Sequence, residues 1–203
     1  MSTAAVVLAA GGGTRFAGPS HKLLAPFRGH TVFAWVLDAV LAAGLDETIV
    51  VVGAVDLRSE LDGRPVLVVD NPDWQQGQAT SLRAGWTTAQ QQGHDAVVVG
   101  LGDQPLVPSS AWRAVAEGTT PIVVATYEGR RRNPVRLAHQ VWPLLSSSGD
   151  EGAREVLRER PDLVSEVPCA GHADDIDTVE DLRRWNLPTT SRSSGQSTKR
   201  GRC

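Results

Sequence analysis

Two cysteines, Cys169 and Cys203, are all that 203 residues offer, too few for a disulfide framework and in keeping with a reducing compartment. Long hydrophobic runs are missing too: no segment reaches the length of a membrane span, and the short apolar run near the N-terminus ends in glycines instead of continuing as a signal peptide. Neither sign of charge dominates. Twenty Lys and Arg against 23 Asp and Glu leave a net charge of -3, with no electrostatic footprint for nucleic acid. The basic run Arg130 to Arg132 reads as a solvated loop. The five histidines, His21, His30, His94, His139 and His172, have no metal-ligand spacing and read as surface or turn residues. Ser81 has no His and Asp partners in a recognisable motif, which removes a hydrolase triad. No internal repeat is present. These absences leave a soluble, cytoplasmic domain, and 41% hydrophobic residues suffice for one full core.

What the chain does have is a set of short, Val-rich apolar runs at Ala4 to Ala10, Ile49 to Val52, Val66 to Val69, Ala96 to Gly100 and Ile122 to Ala125. Continuous rather than alternating, they suit central strands covered on both faces. Helix-like stretches separate them. One is capped by Thr31 and ended by Gly44; others run Asp56 to Leu61, Gln78 to Gln92 and Ser109 to Glu117. Further on, a strand is expected at Asn133 to Leu137, short helices at His139 to Leu145 and Glu151 to Glu159, a strand at Leu163 to Val167 and a last helix at Val179 to Asn186. This alternation predicts an α/β fold, a three-layer α/β/α sandwich around a Rossmann-like, mostly parallel sheet. One domain is expected over residues 1–187, and the Ser-, Thr- and Arg-rich composition of 188–203 predicts a disordered tail. Trp35, Trp86 and Trp112 are expected to pack; Trp74, near Gly77, stands apart as a candidate base platform.

The first run breaks into Gly11-Gly12-Gly13-Thr14-Arg15, with Lys22 further on. Consecutive glycines let backbone N–H groups approach an anion, and the two cations neutralise charge that the amides alone would leave. It is not a P-loop, because no Gly-Lys pair occurs in the chain. A dinucleotide fingerprint fails as well: counted from Gly11, the third glycine falls on Phe16, and the second strand ends without an acidic residue. In an open α/β sheet ligands bind beyond the carboxyl ends of the strands. Asp103, just past the Ala96 to Gly100 run, is therefore a candidate ligand for the Mg²⁺ that accompanies a nucleotide triphosphate. A second carboxylate is expected from Asp175 or Asp177, between which spacing does not decide.

With these pieces, the chain resembles the MobA-like nucleotidyltransferases, and within them the molybdenum cofactor cytidylyltransferases. The resemblance is carried by Leu8-Ala9-Ala10-Gly11 to Arg15-Phe16 with Lys22-Leu23-Leu24, Asn71 to Leu82, Gly102-Asp103-Gln104-Pro105, Asn133 to Leu137, Gly149 to Arg154 and Asp175 to Leu182, six segments in family order. It implies a sheet of the nucleotide-diphospho-sugar transferase type and transfer of CMP from CTP to the terminal phosphate of a phosphorylated pterin, molybdopterin, releasing pyrophosphate. Arg15, Lys22 and Asp103 are then catalytic. Nucleotide contacts come from Leu8, Ala9, Ala10, Gly11, Gly12, Gly13, Thr14, Arg15, Lys22, Gly77, Gln78, Ser81 and Gly102. Mg²⁺ ligands come from Asp103, Asp175 and Asp177, and the segments at 133–137 and 149–154 face the acceptor. Guanylyl-transferring relatives usually carry Leu-Ala-Gly-Gly where this chain has Leu8-Ala9-Ala10-Gly11, so Ala10 points to CTP. A molybdenum hydroxylase is the implied partner. The chain departs from the family pattern at Phe16, in the long stretch from Ala17 to His21, and at Asn133-Pro134. Two readings compete: an NAD(P)H-dependent oxidoreductase, from a glycine loop directly after a first strand, and a non-catalytic accessory protein for molybdenum hydroxylase maturation.

Overall fold

The computed structural model describes residues 1–146, 149–150 and 152–186. In chain order the elements are β1 (Thr3–Ala9), β2 (Pro26–Phe27), β3 (His30–Thr31), α1 (Val32–Ala43), β4 (Glu47–Val52), α2 (Arg58–Leu61), β5 (Leu67–Asp70), α3 (Gln78–Gln91), β6 (Ala96–Leu101), α4 (Ser109–Ala116), β7 (Ile122–Tyr127), β8 (Arg130–Ala138), α5 (Arg154–Glu159), β9 (Val164–Pro168) and α6 (Val179–Asn186), with short 3₁₀ turns between some of them. The tail at 188–203 lies outside the described residues. So does Glu151, the expected start of a helix; that helix begins at Arg154, after Gly152 takes a left-handed φ of 53°. No described helix is long and apolar enough to cross a membrane.

Seven strands form one sheet in the order β5-β4-β1-β6-β8-β7-β9, and β8 alone runs against the rest. Every residue of β1 is buried. Side chains alternate across a strand, so Ala5, Val7 and Ala9 enter one core while Ala4, Val6 and Leu8 enter the other. The first core is closed by Phe33, Val36, Leu37 and Val40 of α1 and by Trp112 and Val115 of α4. The second is closed by Leu82 and Ala89 of α3, with Trp142 and Val156. Two covered faces explain why the strands read as unbroken apolar runs. Local signals hold α1 in place: Thr31 Oγ1 accepts from the Ala34 amide at 3.1 Å, and Gly44 closes the helix at φ 68°.

The Arg130 to Arg132 run is not a loop. It opens β8, paired with Tyr127, Thr126 and Ala125 across a two-residue turn in which Glu128 and Gly129 both have positive φ. Such a turn matches the twist of an antiparallel hairpin, and the arginines keep their side chains in solvent. The register then shifts between Val124 and Ala125, so Asn133 and Pro134 are left out of the ladder. The stretch His139–Leu144 is a 3₁₀ helix containing Pro143. Of the packing tryptophans, Trp112 is fully buried, Trp86 stacks on Trp142 and Trp35 is 36% exposed, its N–H donating to the Phe27 carbonyl.

A third, smaller core lies at the carboxyl end of the sheet. Phe16, Ala25, Phe27, Val32 and Ile176 are buried together, with Leu182 and Trp185 of α6 packed against them. It clamps the loop after β1 and the segment before α6 to the same spot.

Candidate active site

Strand order reverses between β1 and β6, since β4 and β5 continue on one side of β1 and β6 lies on the other. The loops that leave these two strands therefore diverge, and a crevice opens between them. It is a cavity of about 340 Å³ lined by Leu8, Ala9, Ala10, Gly11, Gly12, Gly13, Thr14, Lys22, Gly77, Gln78, Ser81 and Asp103, twelve of the residues expected from sequence. Trp74, Gln75, Leu101 and Asp150 join them. Gly102 is buried beneath, its amide donating to the Leu8 carbonyl at 2.9 Å. Arg15, Asp175 and Asp177 are not part of this lining.

The glycine loop is built for anions. The amides of Gly11, Gly12 and Gly13 carry no hydrogen bond within the described chain. Three adjacent N–H groups beside a buried cation make an anion-binding concavity. Trp74 covers Gly12 so closely that a Cβ there would lie 2.9 Å from the ring. The long excursion from Ala17 to His21 closes on itself: Phe16 is anchored in the third core, and His21 Nε2–H donates to the Gly11 carbonyl at 3.0 Å. The Leu23 amide donates to His21 Nδ1, which places the ring proton on Nε2. Burial, opposed by the Gly11 carbonyl, holds the His21 pKa below its ordinary 6.5. His21 is thus a structural part of the loop, a role its sequence context does not reveal.

Lys22 lands in the centre. Its Nζ is 2.5 Å from Asp103 Oδ2 and 2.7 Å from Asp177 Oδ1. Lys22 and Asp103 are largely but not fully buried, with side chains 13% and 15% exposed, and Asp177 is 31% exposed. Burial pulls the ammonium pKa down, but Asp103 and Asp177 more than offset this and hold it above its ordinary value. Arg15 donates to Asp177 Oδ2 at 3.0 Å while its side chain stays 80% exposed. The main chain positions these charges: the Ile176 amide donates to the Asp103 carbonyl at 2.9 Å, and the buried Ile176 side chain holds the neighbouring Asp177 in place.

Asp175 and Asp177 engage different partners. Asp175 accepts from Gln104 Nε2 at 2.7 Å and lines a second cavity, of about 560 Å³, with Arg131, Arg132, Asn133 and Arg154. Desolvation and then the Asp103 charge raise its pKa. Asp103 Oδ1 is buried without any hydrogen-bond partner among the described residues. A buried carboxylate oxygen in that state is costly unless a cation takes it, so Asp103 fits a divalent metal ligand. Among the described residues no three His, Cys, Asp or Glu side chains converge to hold a metal by themselves. A cation here would complete its shell with phosphate and water.

Ser81, on the cavity wall, and the neighbouring Thr80 are fixed by Asn71, which is buried just past the end of β5. Its Nδ2 donates to Ser81 Oγ and Thr80 Oγ1, both at 2.9 Å. Gly77 precedes α3 at φ 108° and abuts Gly149, which brings Asp150 to the cavity wall. A recess of about 60 Å³ shares Leu8 and Gln78 with the first cavity and Asn133 and Arg154 with the second.

Comparison with known proteins adds four findings. Residues 5–164 match the model of the MobA-like NTP transferase domain. The chain is 34% identical to the nicotine blue oxidoreductase of Paenarthrobacter nicotinovorans, over 88% of this chain and 94% of that protein. Among solved structures it superimposes on a nucleotidyl transferase from Methanothermobacter (TM-score 0.79, 27% identity, 91% of this chain and 96% of that one). It also superimposes on the manganese complex of Rv0371c from Mycobacterium tuberculosis H37Rv (TM-score 0.78, 29% identity, 92% and 98%).

Proposed function

The chain belongs to the MobA-like NTP transferase family, and on that premise we propose that it transfers CMP from CTP to the terminal phosphate of molybdopterin, with Mg²⁺ as the metal. The observation that carries this reading is the convergence, at one crevice, of free glycine amides, Lys22 and a buried carboxylate with an unpartnered oxygen. In the reaction an acceptor phosphate oxygen forms a bond to the α-phosphorus of CTP. The bond from that phosphorus to the β-phosphate bridging oxygen breaks, and pyrophosphate leaves. Positioning and charge neutralisation supply most of what such a transfer needs.

Each residue has a share in that task. The amides of Gly11 to Gly13 receive the triphosphate, and Lys22 and Arg15 neutralise the departing pyrophosphate. Asp103 with Asp177 would hold Mg²⁺, Asp175 being the alternative second ligand. When bound, the metal supplies positive charge at the phosphate oxygens. Gln78 and Ser81 read the nucleoside, Trp74 stacks beside it, and the Ala10 methyl narrows the wall where guanylyl-transferring relatives have glycine. The acceptor enters the larger cavity, where Arg154 has no ion-pair or hydrogen-bond partner among the described residues and Arg132 donates only to the neighbouring Arg131 carbonyl. Two such guanidiniums suit an anionic acceptor. A molybdenum hydroxylase that takes up the product is the partner this reading implies.

Radiolabelled CTP, Mg²⁺ and molybdopterin incubated with the protein should release pyrophosphate, and no release with any of the four nucleoside triphosphates would overturn the assignment. The similarity to nicotine blue oxidoreductase favours a second reading, a nicotinamide-dependent reductase. Fluorescence titration separates them: tight NADPH binding without CTP binding would favour the reductase. A hydride transfer has no evident need for the Lys22, Asp103 and Asp177 cluster.

A further inference from the structure

Lys22 already holds Asp103 and Asp177, the two carboxylates that the proposed function gives first to the divalent metal. The ammonium sits 2.5 Å from Asp103 and 2.7 Å from Asp177, bridging segments that are distant along the chain. It reaches them from a turn fixed on both sides, by the His21 ring bonded to Gly11 and by the buried Leu23. Asp103 Oδ1, on the same carboxylate, is left buried and without a partner among the described residues, so the lysine satisfies one oxygen and not the other. Two carboxylates facing one another repel unless a cation lies between them, and here the cation belongs to the chain. A dication placed against the same oxygens would meet the ammonium at close range, and like charges at that distance in a partly buried site exclude one another.

We propose that Lys22 is a tethered counter-cation that holds the metal site closed until a nucleoside triphosphate arrives. The triphosphate offers the ammonium a second set of anionic oxygens at the adjoining glycine loop, where Lys22 already lines the crevice. Lys22 then exchanges carboxylate for phosphate, and Asp103 and Asp177 are freed for the divalent cation that the nucleotide carries. Metal alone binds the free protein weakly; metal and nucleotide bind together tightly. Because the coupling is thermodynamic, each strengthens the other by the same factor. This role rests on the nucleotidyl-transfer reading of the crevice and goes beyond it, since a lysine that only gripped pyrophosphate would leave the metal affinity of the free protein untouched.

The test is titration of the full chain with MnCl₂ alone, following free Mn²⁺ by electron paramagnetic resonance, and then repeating with CTP present. A neighbouring charge changes a carboxylate's affinity for a proton by about one to three orders of magnitude, so Lys22→Met should tighten nucleotide-free Mn²⁺ binding roughly ten-fold or more. Lys22→Arg, which keeps the charge, should leave it near wild type, and Asp103→Asn added to Lys22→Met should abolish the gain. The factor by which CTP improves Mn²⁺ binding should shrink in Lys22→Met. Lys22→Gln replaces Lys22→Met if the latter has no cooperative melting transition. Unchanged or weaker Mn²⁺ binding by a folded, charge-removed variant overturns the tethered-cation role, which is what a purely fold-stabilising ion pair would give. If wild type binds Mn²⁺ with CTP normally in that case, the transferase reading survives. Failure of wild type to bind Mn²⁺ and CTP together overturns both.

Discussion

Substituting Gly77 by alanine tests whether the crevice wall is held by main-chain contact. Gly77 has φ 108° and ψ 169°, a region that is essentially glycine-only and costs about 1–3 kcal/mol for other residues. The new Cβ would lie 2.4 Å from the Gly149 carbonyl oxygen and 2.5 Å from its carbon, distances that require something to shift. Gly149 cannot move freely, because its carbonyl accepts from the Ala79 amide at 2.9 Å and its own amide donates to the Gln76 carbonyl at 3.1 Å. Loss of these two bonds adds about 1 kcal/mol each. The expected total is about 3–5 kcal/mol, a fall in melting temperature on the order of 10 °C for a domain of this size. Gly129→Ala is the control: its φ is 75°, but nothing among the described residues lies within 4 Å of the added carbon, so strain acts alone and the cost is about 1–2 kcal/mol. Urea unfolding of both variants supplies the comparison. Gly77→Ala should also weaken CTP binding, since Gln78 and Asp150 move with the loop, whereas Gly129→Ala should not. Equal stabilities for the two variants would refute the claim that Gly149 is pinned.

Asp103→Asn should leave the melting temperature nearly unchanged, since Lys22 keeps Asp177, while pyrophosphate release falls about 10²-fold or more; a variant with near-normal turnover would remove Asp103 from the chemistry. His21 has a lowered native pKa, so below its ordinary 6.5 the unfolded chain binds the proton first and stability falls as pH drops through that value toward the native one. The stability advantage of wild type over His21→Gln should therefore shrink between pH 7.5 and 5 in thermal melts, and an advantage that grew on acidification would contradict the assigned tautomer. Arg154→Ala should raise the acceptor KM with little change in CTP binding, and a loss of CTP affinity instead would place Arg154 on the nucleotide side. Ile176→Ala should cost about 2–5 kcal/mol by chemical denaturation, as for other fully buried aliphatic truncations; a loss below about 0.5 kcal/mol, the scale of surface substitutions, would show that Ile176 does not anchor the third core.

The central strands and their helices were legible because burial on both faces leaves a one-dimensional trace, an apolar run with a cap or glycine at each break. Asp103 was legible for the same reason, since a strand end locates it. Arg130 to Arg132 misled because their strand is exposed where they sit, and the signal for it was the Glu128-Gly129 turn, not the arginines. The difference between Asp175 and Asp177 was not legible at all. It depends on Ile176 packing against Phe16, Phe27 and Val32, contacts between residues distant along the chain, and on Gln104 claiming Asp175. Asp150 belongs to the same class, brought to the wall by the contact of Gly77 with Gly149.

The charges at the crevice are arranged by groups that carry no charge. Gly102 bonds to Leu8, Ala54 to Ala10, Asn71 to Val52 and Ile176 to Asp103, all through main-chain atoms at 2.8–3.0 Å. These bonds stitch together the loops after β1, β4, β5 and β6 and the segment before α6. Side-chain ion pairs could not hold such a framework: they are exchangeable, and an exposed pair such as Arg15 with Asp177 contributes little. With main chain and core setting the geometry, Lys22, Arg15 and the carboxylates are free to change partners without the loops moving. The proposed nucleotidyl transfer, which would pass a metal, a triphosphate and a departing pyrophosphate over the same few oxygens, needs that separation between what positions and what reacts.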